Sequence, residues 1–462
     1  MILKTFFQKK TNVLAIVCLI AIVAISLMKS AMELEDAEQT YFSQWLRLGY
    51  DDQPPLFTWL QYVINAIIGI TVVSFSLLRA LIFATILIIL YKFSETYLKN
   101  VSKANLVVFA LALIPVFIDF TFRRLSHTTL LCFVVLITYY ILQRLLAKQS
   151  ICNYILLGVA VGLGILTKYN YVMVIGAIGL AVFIDKNIRG IILHKYIFIS
   201  SLIVGVLITP HFYWLVSNQE FLSELRSSVD LKTTIAGEKS IPILAPLLAM
   251  LKNIVKIIAP LVIVLIVARL MKRIKFTFLS YDWLVKMLLA QLIVIFLFFV
   301  LMDVQKTEER WFLPLLIPFL VLLVKSIQFL NIKKWVPVGF LIFMVFIGIQ
   351  IIRTPMEKLL KIPSDVHFSF QPISDVLNAK FKNENWILPN VTYGGNIKLL
   401  NTSREVFSLD DFSLPKSKTE TKESVLVVIG KENLNNDTPL DSIINFGRRK
   451  ENIYFIKYNT KN

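Results

Sequence analysis

Six carboxylates crowd the short stretch between two apolar segments: Glu33, Glu35, Asp36 and Glu38, then Asp51 and Asp52. Carboxylates are costly near hydrocarbon, so a dense acidic loop in such a place either rests in water or lines a site at the membrane face. The aromatic residues Tyr41, Phe42, Trp45 and Tyr50 lie between the two acidic groups and suit a segment resting on the lipid surface. Four later clusters carry polar residues of the same kind. Asp119, Arg123, Arg124 and His127 form one, and Lys168 in Leu166-Thr167-Lys168-Tyr169-Asn170-Tyr171 is the second. His211 with Trp214, and Glu308, Glu309 and Arg310 with Trp311, complete the set. Charges at membrane depth pair with one another or line a substrate path.

The elements that must position these residues are apolar runs. The chain has 462 residues, of which 56% are hydrophobic and only 17% charged. A soluble chain is nearer a quarter charged. The apolar residues come in long runs, and roughly 20 helical residues cross a hydrocarbon layer of ~30 Å. The composition therefore predicts a polytopic α-helical membrane protein. Lys4, Lys9 and Lys10 before Val13–Leu27 resemble a signal peptide, but no small-x-small cleavage site precedes the acidic loop. We read this segment as a retained first span with a cytoplasmic N-terminus.

The run Leu56–Phe75 decides the parity of everything after it. If it crosses, each later basic loop falls outside. If it lies along the outer interface, the loops around Lys99/Lys103, Arg144/Lys148, Lys186/Arg189/Lys195, Arg269/Lys272/Arg273/Lys275 and Lys333/Lys334 all become cytoplasmic. The positive-inside bias selects the interfacial reading. Spans are then expected over roughly 12–29, 77–98, 104–119, 126–146, 153–168, 169–185, 196–213, 243–268, 283–302, 311–330 and 335–352, about eleven in all. Interfacial helices are expected in the first outer loop.

The composition changes after residue 352. Residues 353–462 carry 16 Lys+Arg and 13 Asp+Glu, so most of the net charge of +18 belongs to residues 1–352. That surplus sits in short loops between spans, where orientation explains it better than nucleic-acid binding. The tail reads as a small extracytoplasmic α/β domain, with strands at Val425–Ile429 and Asn452–Tyr458. Cys18, Cys132 and Cys152 lie in or beside apolar runs without CxxC spacing and read as packing residues. The chain contains no internal repeat, P-loop, GxGxxG or metal-ligand cluster.

With this topology all five polar groups meet one membrane face. Each also has a plainer reading. Arg123 and Arg124 suit headgroup contacts, Lys168 suits snorkelling beside an aromatic belt, and Glu308–Arg310 suit a solvated turn. A lone His127 or His211 is most often structural. The acidic loop resists such a reading best.

That loop, from Glu35-Asp36-Ala37 to Gly49-Tyr50-Asp51-Asp52-Gln53-Pro54-Pro55-Leu56, resembles the first outer loop of the C-type polytopic glycosyltransferases. The branch it resembles includes lipid A aminoarabinose transferases and bacterial relatives of dolichyl-phosphate-mannose–protein mannosyltransferase. Gly162-Leu163-Gly164-Ile165-Leu166-Thr167-Lys168-Tyr169, Pro210-His211-Phe212-Tyr213-Trp214 and Gly394-Gly395-Asn396 are similar to further family segments. The family's usual Asp-Glu pair stands here as Glu35-Asp36. Where relatives carry an aspartate near the start of the fourth span, this chain has Arg124-Leu125-Ser126-His127.

The resemblance implies transfer of a sugar from a polyprenyl-phosphate donor to a lipid, glycan or protein acceptor on the outer face of the cytoplasmic membrane. Glu35 is the implied general base, with Asp36 second. Lys168 and an arginine of the Arg123/Arg124 pair are the implied partners of the donor phosphate. Asp52, His127, His211 and Arg310 are further candidates for substrate binding. No nucleotide cofactor is expected, because the lipid phosphate already activates the sugar; a divalent metal stays open. The competing class is a transporter or flippase for a lipid-linked or anionic substrate. Transporters often show two related halves, and this sequence shows none.

Overall fold

The computed structural model describes residues 10–51, 53–124, 126–218, 243–362, 364–414, 423–434, 438–447 and 450–458. Its helices are α1 (Lys10–Leu27), α2 (Leu34–Phe42), α3 (Leu56–Ile68), α4 (Val72–Leu98), α5 (Val101–Ala110), α6 (Pro115–Arg123), α7 (Ser126–Ala147), α8 (Ile151–Thr167), α9 (Val172–Ile184), α10 (Lys186–Ile192), α11 (Ile197–Ser217), α12 (Leu244–Leu270), α13 (Trp283–Leu301), α14 (Leu313–Lys325), α15 (Ile332–Leu359), α16 (Gln371–Lys380) and α17 (Val391–Leu400). Among the described residues, seven helices are long and apolar enough to cross a membrane, or nine if each of two bent pairs is one span. The bent pairs are Val101–Leu113 with Pro115–Arg123, at 76°, and Tyr169–Ile184 with Lys186–Ile192, at 118°. Pro115 at the start of α6 lacks the N–H that would continue the preceding helix. Asp185 caps α10 by accepting from the backbone N–H groups of Asn187 and Ile188.

The ambiguous run Leu56–Phe75 is broken. Gly69, at φ +81°, ends α3, and the Thr71/Ser74 capping box starts α4. The 13 residues of α3 extend only about 20 Å, short of a hydrocarbon layer. Leu56, Phe57, Thr58 and Gln61 face inward from it, while Val63 and Ile67 are exposed. An amphipathic helix of this length suits an interface. The crossing helix after it starts at Val72 rather than near residue 77.

The bundle core is continuous from Leu14 on α1 to Ile347 on α15. α8 and α11 approach closely, because a Cβ on Gly158 would lie 2.7 Å from the Ser200 carbonyl oxygen and one on Gly162 would lie 2.7 Å from the Leu207 side chain. On the basic-loop side, β1 (Ile274–Phe276) and β2 (Ile327–Phe329) pair antiparallel.

The last long helix runs on to Leu359 before the tail begins. The tail sheet contains β3 (Asn385–Leu388), β4 (Phe407–Ser408), β5 (Ser424–Ile429), β6 (Asp441–Phe446) and β7 (Glu451–Tyr458), in the order β4-β3-β5-β7-β6. β3 pairs parallel with β4 and β5, while β7 pairs antiparallel with β5 and β6. The two strands expected from sequence are β5 and β7. Trp386, Val425, Val427, Ile453 and Phe455 form the tail's own core with Ile373 and Leu377 of α16.

Candidate active site

The acidic loop folds as a short helix, α2, held from both sides. On one side it lies against α17 of the tail. A Cβ on Gly395 would sit 1.8 Å from the Ala37 carbonyl oxygen, and one on Gly394 would sit 2.8 Å from the Tyr41 ring. Asn396 accepts from the Met32 backbone N–H at 2.8 Å. The Tyr41 hydroxyl donates to Asp411 at 3.1 Å and accepts from the Ser408 N–H at 3.1 Å. Gln44 makes a reciprocal pair with the Val406 backbone. The Gly394-Gly395-Asn396 segment thus seats the acidic helix on the tail.

On the other side, α2 is tied into the bundle by charge. Asp36 is buried and receives Arg79 Nη1 on both carboxylate oxygens, at 2.6 and 2.7 Å. Arg79, 1% exposed, also donates to Ser26 Oγ at 2.9 Å and to the Arg123 carbonyl at 3.2 Å. Arg79 thus engages both carboxylate oxygens of Asp36. Removing one member of a buried pair strands the other, so Arg79→Met should destabilise the protein by about 3–5 kcal/mol. Thermal unfolding in detergent checks this, and adding Asp36→Asn should recover part of the loss, as a coupled pair requires.

Glu33 precedes α2 and forms a second junction. It meets Lys29 Nζ at 3.0 Å and Arg123 Nε at 3.1 Å. Burial opposes its charge, but Lys29 and Arg123 prevail and hold its pKa below the usual carboxylate value. Arg123 Nη2 reaches Glu357 at 3.4 Å, and Arg353 bonds both Asp119 and Glu357.

Glu35 is placed differently. Its side chain is 15% exposed, and Oε1 lies 3.4 Å from Arg310 Nη1. Its Oε2 is buried with no hydrogen-bond partner among the described residues. Burial raises its pKa above the usual value, against the opposing pull of Arg124 and Arg310. A carboxylate with one oxygen anchored, the other free and a raised proton affinity is suited to take up a proton.

Two cavities open beside Arg310 and Leu34, the neighbours of Glu35, which itself lines neither. The first, of about 300 Å³, is lined by Gln53, Lys168, Tyr169 and Arg310 together with Ile295, Phe298 and other, mostly apolar side chains. Lys168 is the C-cap of α8, in extended conformation, and its Nζ donates to Thr128 Oγ1 at 3.3 Å. The second cavity, of about 420 Å³, is lined by Glu33, Asp119, Arg123, Arg124, Arg353 and Thr392 among others. Lys168 and Arg310 therefore share one cavity, and Arg123 and Arg124 share the other.

The two histidines anchor the loop. His211 Nδ1 donates to the Leu48 carbonyl at 2.8 Å, which leaves Nε2 to accept from the Tyr169 hydroxyl at 3.2 Å. Next to it, Trp214 occupies the space a Cβ on Gly49 would need, only 2.1 Å away. His127 meets Gln39 at 2.9 Å, and Thr58 donates to the other end of that amide. Asp52 lies outside the described residues.

Among the described residues no three His, Cys, Asp or Glu side chains converge as a metal cage. The donor chemistry points the same way, since Glu33 and Asp36 are already held by Lys29, Arg123 and Arg79. The first outer loop as seen here does not fit a divalent cation. Arg79, Arg353 and Glu357 were missed in the sequence. Arg79 alone gave a signal, as a single charge inside an apolar run.

Residues 52–214 match the family model described as dolichyl-phosphate-mannose-protein mannosyltransferase. The lipopolysaccharide core galacturonosyltransferase RgtB of Rhizobium johnstonii is 28% identical over 191 residues, which is 41% of this chain and 39% of the relative. RgtA of the same organism is 29% identical over 193 residues, 42% and 39% of the two chains. The matched part spans about two fifths of the length of these curated relatives. Two crystal structures of ArnT from Cupriavidus metallidurans share the fold over 96% of this chain and 97% of theirs. The one bound to undecaprenyl phosphate gives a TM-score of 0.60 at 14% identity, and the apo form 0.62 at 13%. In sequence over residues 52–214 and in fold over nearly its whole length, the chain is similar to the C-type polytopic membrane glycosyltransferases, as its acidic loop had indicated.

Proposed function

We propose that this chain is a glycosyltransferase that moves a sugar from a polyprenyl-phosphate donor to an acceptor on the outer face of the cytoplasmic membrane. One observation carries the reading. Lys168 and Arg310 line one cavity whose surface is mostly apolar, and Glu35, with its free oxygen, rests on Arg310. The apolar surface takes the prenyl chain. The two cations take the phosphate, whose negative charge grows as the sugar leaves. The acceptor oxygen forms a bond to the anomeric carbon, and the bond from that carbon to the phosphate oxygen breaks with its electron pair. Polyprenyl phosphate departs, and the acceptor proton passes to Glu35. Such a single displacement inverts the anomeric centre. The relatives that act on the lipopolysaccharide core make a cell-envelope glycolipid the favoured acceptor class.

The reading carries a topology. Counting both bent pairs, α8, and α14 together with the helical turn Glu309–Phe312 that runs into it gives eleven crossings, with α3 on the outer interface. The N-terminus is then cytoplasmic, and residues 353–462 form an extracytoplasmic domain against the outer loop.

The test is transfer by the purified protein from radiolabelled polyprenyl-phosphate sugars. Covalent product is expected. Lys168→Ala should raise the donor KM by about tenfold or more, since a charge-assisted contact of about 1.5–3 kcal/mol is lost. Movement of the donor across vesicles without covalent product would favour a transporter instead.

A further inference from the structure

The second cavity has no part in the reaction as described so far. Its walls come from the end of α6, the segment before α2, the end of α15 and the start of α17. They are charged rather than apolar, which suits a headgroup and not a prenyl chain. Arg353 is committed to Asp119 and Glu357. Arg123 is only 5% exposed, and two of its nitrogens serve Glu33 and Glu357. Its third nitrogen, Nη1, is buried with no hydrogen-bond partner among the described residues. A buried guanidinium N–H left unmatched is costly, and an anion is the group that best satisfies it. Arg124 stands beside it, 42% exposed, with Glu33 no closer than 3.9 Å and its guanidinium over the Phe120 ring. It is a cation with room to turn toward a ligand.

Glu35 lines neither cavity, but its neighbour Leu34 lines the second and its partner Arg310 lines the first. Arg124 and Arg310 are the cations whose fields reach its carboxylate, one from each cavity. A base that takes a proton from the acceptor must stand between acceptor and donor. We infer that the second cavity binds an anionic group of the acceptor, a phosphate or carboxylate near the reacting hydroxyl, through Arg124 and Arg123 Nη1. This rests on the glycosyltransferase reading. It assigns Arg123 and Arg124 to the acceptor, leaving the donor phosphate to Lys168 and Arg310.

Two measurements on the full chain test it, one of them independent of turnover. Leu34 lines the second cavity and is exposed. In a Cys152→Ser background, which removes the exposed native thiol, Leu34→Cys should react with a soluble thiol reagent. Pyrophosphate should slow that reaction severalfold with Arg124 present, should do so partly with Arg124→Lys, and should have no effect with Arg124→Ala. Equal protection in all three, or protection in none, would overturn the inference. The second measurement uses lipopolysaccharide with its phosphates intact or enzymatically removed. Arg124→Ala should raise the KM for the intact acceptor about tenfold, as loss of a charge-assisted contact requires. It should leave the donor KM unchanged and raise the KM for the dephosphorylated acceptor far less. A changed donor KM would assign Arg124 to the donor and overturn the inference, as would equal losses on both acceptors. If the wild-type protein transfers nothing, the function itself fails, and the labelling result still decides the cavity.

Discussion

Glu35→Gln should lower the rate of transfer by about two to four orders of magnitude, the range that a positioned general base contributes. The substitution keeps size and shape, and the amide oxygen can still accept from Arg310. What disappears is the capacity of Oε2 to take up a proton. Purified variant should insert, unfold at the wild-type temperature and bind donor with unchanged KM, while kcat collapses. The pH profile gives an independent check. Burial raises the Glu35 pKa above its ordinary 4.5, and the cations Arg124 and Arg310 restrain that rise. The base works only when ionised, so kcat/KM in the wild type should fall as pH drops through this raised value. Arg310→Ala removes one restraining charge and should move the acid limb to still higher pH. Glu35→Gln should abolish the limb. Asp36→Asn should behave unlike Glu35→Gln, because it strands Arg79 and so lowers stability. Wild-type kcat in Glu35→Gln would remove Glu35 from the chemistry and direct attention to Glu38, which lies near His127.

The legible parts of this molecule were those governed by one-dimensional rules. Long apolar runs located the crossing helices, and positive loops selected the interfacial reading of α3, whose length and break at Gly69 agree with it. Short strand-like segments separated by glycine and asparagine turns gave β5 and β7. The acidic loop stood out because charge beside hydrocarbon is expensive. Pairing was not legible, since it depends on which turns meet in space. Nothing in the order of residues says that Arg79 takes Asp36 and leaves Glu35 free, or that Arg123 and Arg124 open on a different cavity from Lys168. The two histidines were candidates because they fall at the outer face. Their partners, the Leu48 carbonyl and the Gln39 amide, appear only once the loop is folded. The bend at Pro115 likewise divides a run that sequence alone reads as the single span 104–119, and Asp185 starts a short helix where sequence reads a basic loop.

Gly395→Ala should disable the enzyme from a distance. The new methyl would stand 1.8 Å from the Ala37 carbonyl oxygen, and that oxygen belongs to the backbone of α2, which no side-chain rotation can move aside. The contact must therefore open, by shifting either α17 or α2. Ala37 lies two residues beyond Glu35 on the same short helix, so displacement of that helix carries the base with it. Misplacing a catalytic group by about 1 Å costs on the order of a hundredfold in rate. The bundle has its own core and should still insert and hold together. The tail also keeps its separate core around Trp386. The expected signature is thus a large fall in kcat with a modest fall in unfolding temperature, the reverse of Arg79→Met. Gly394→Ala supplies the comparison, since its methyl would meet the Tyr41 ring at 2.8 Å, and a side chain yields more readily than backbone. Its loss should be smaller. The ordering of these two neighbours separates a seating role for α17 from a general intolerance of side chains there. If Gly395→Ala kept full activity, the tail would not be what fixes α2, and the acidic helix would have to be held by its bundle contacts, Arg79 on Asp36 and His127 and Thr58 on Gln39.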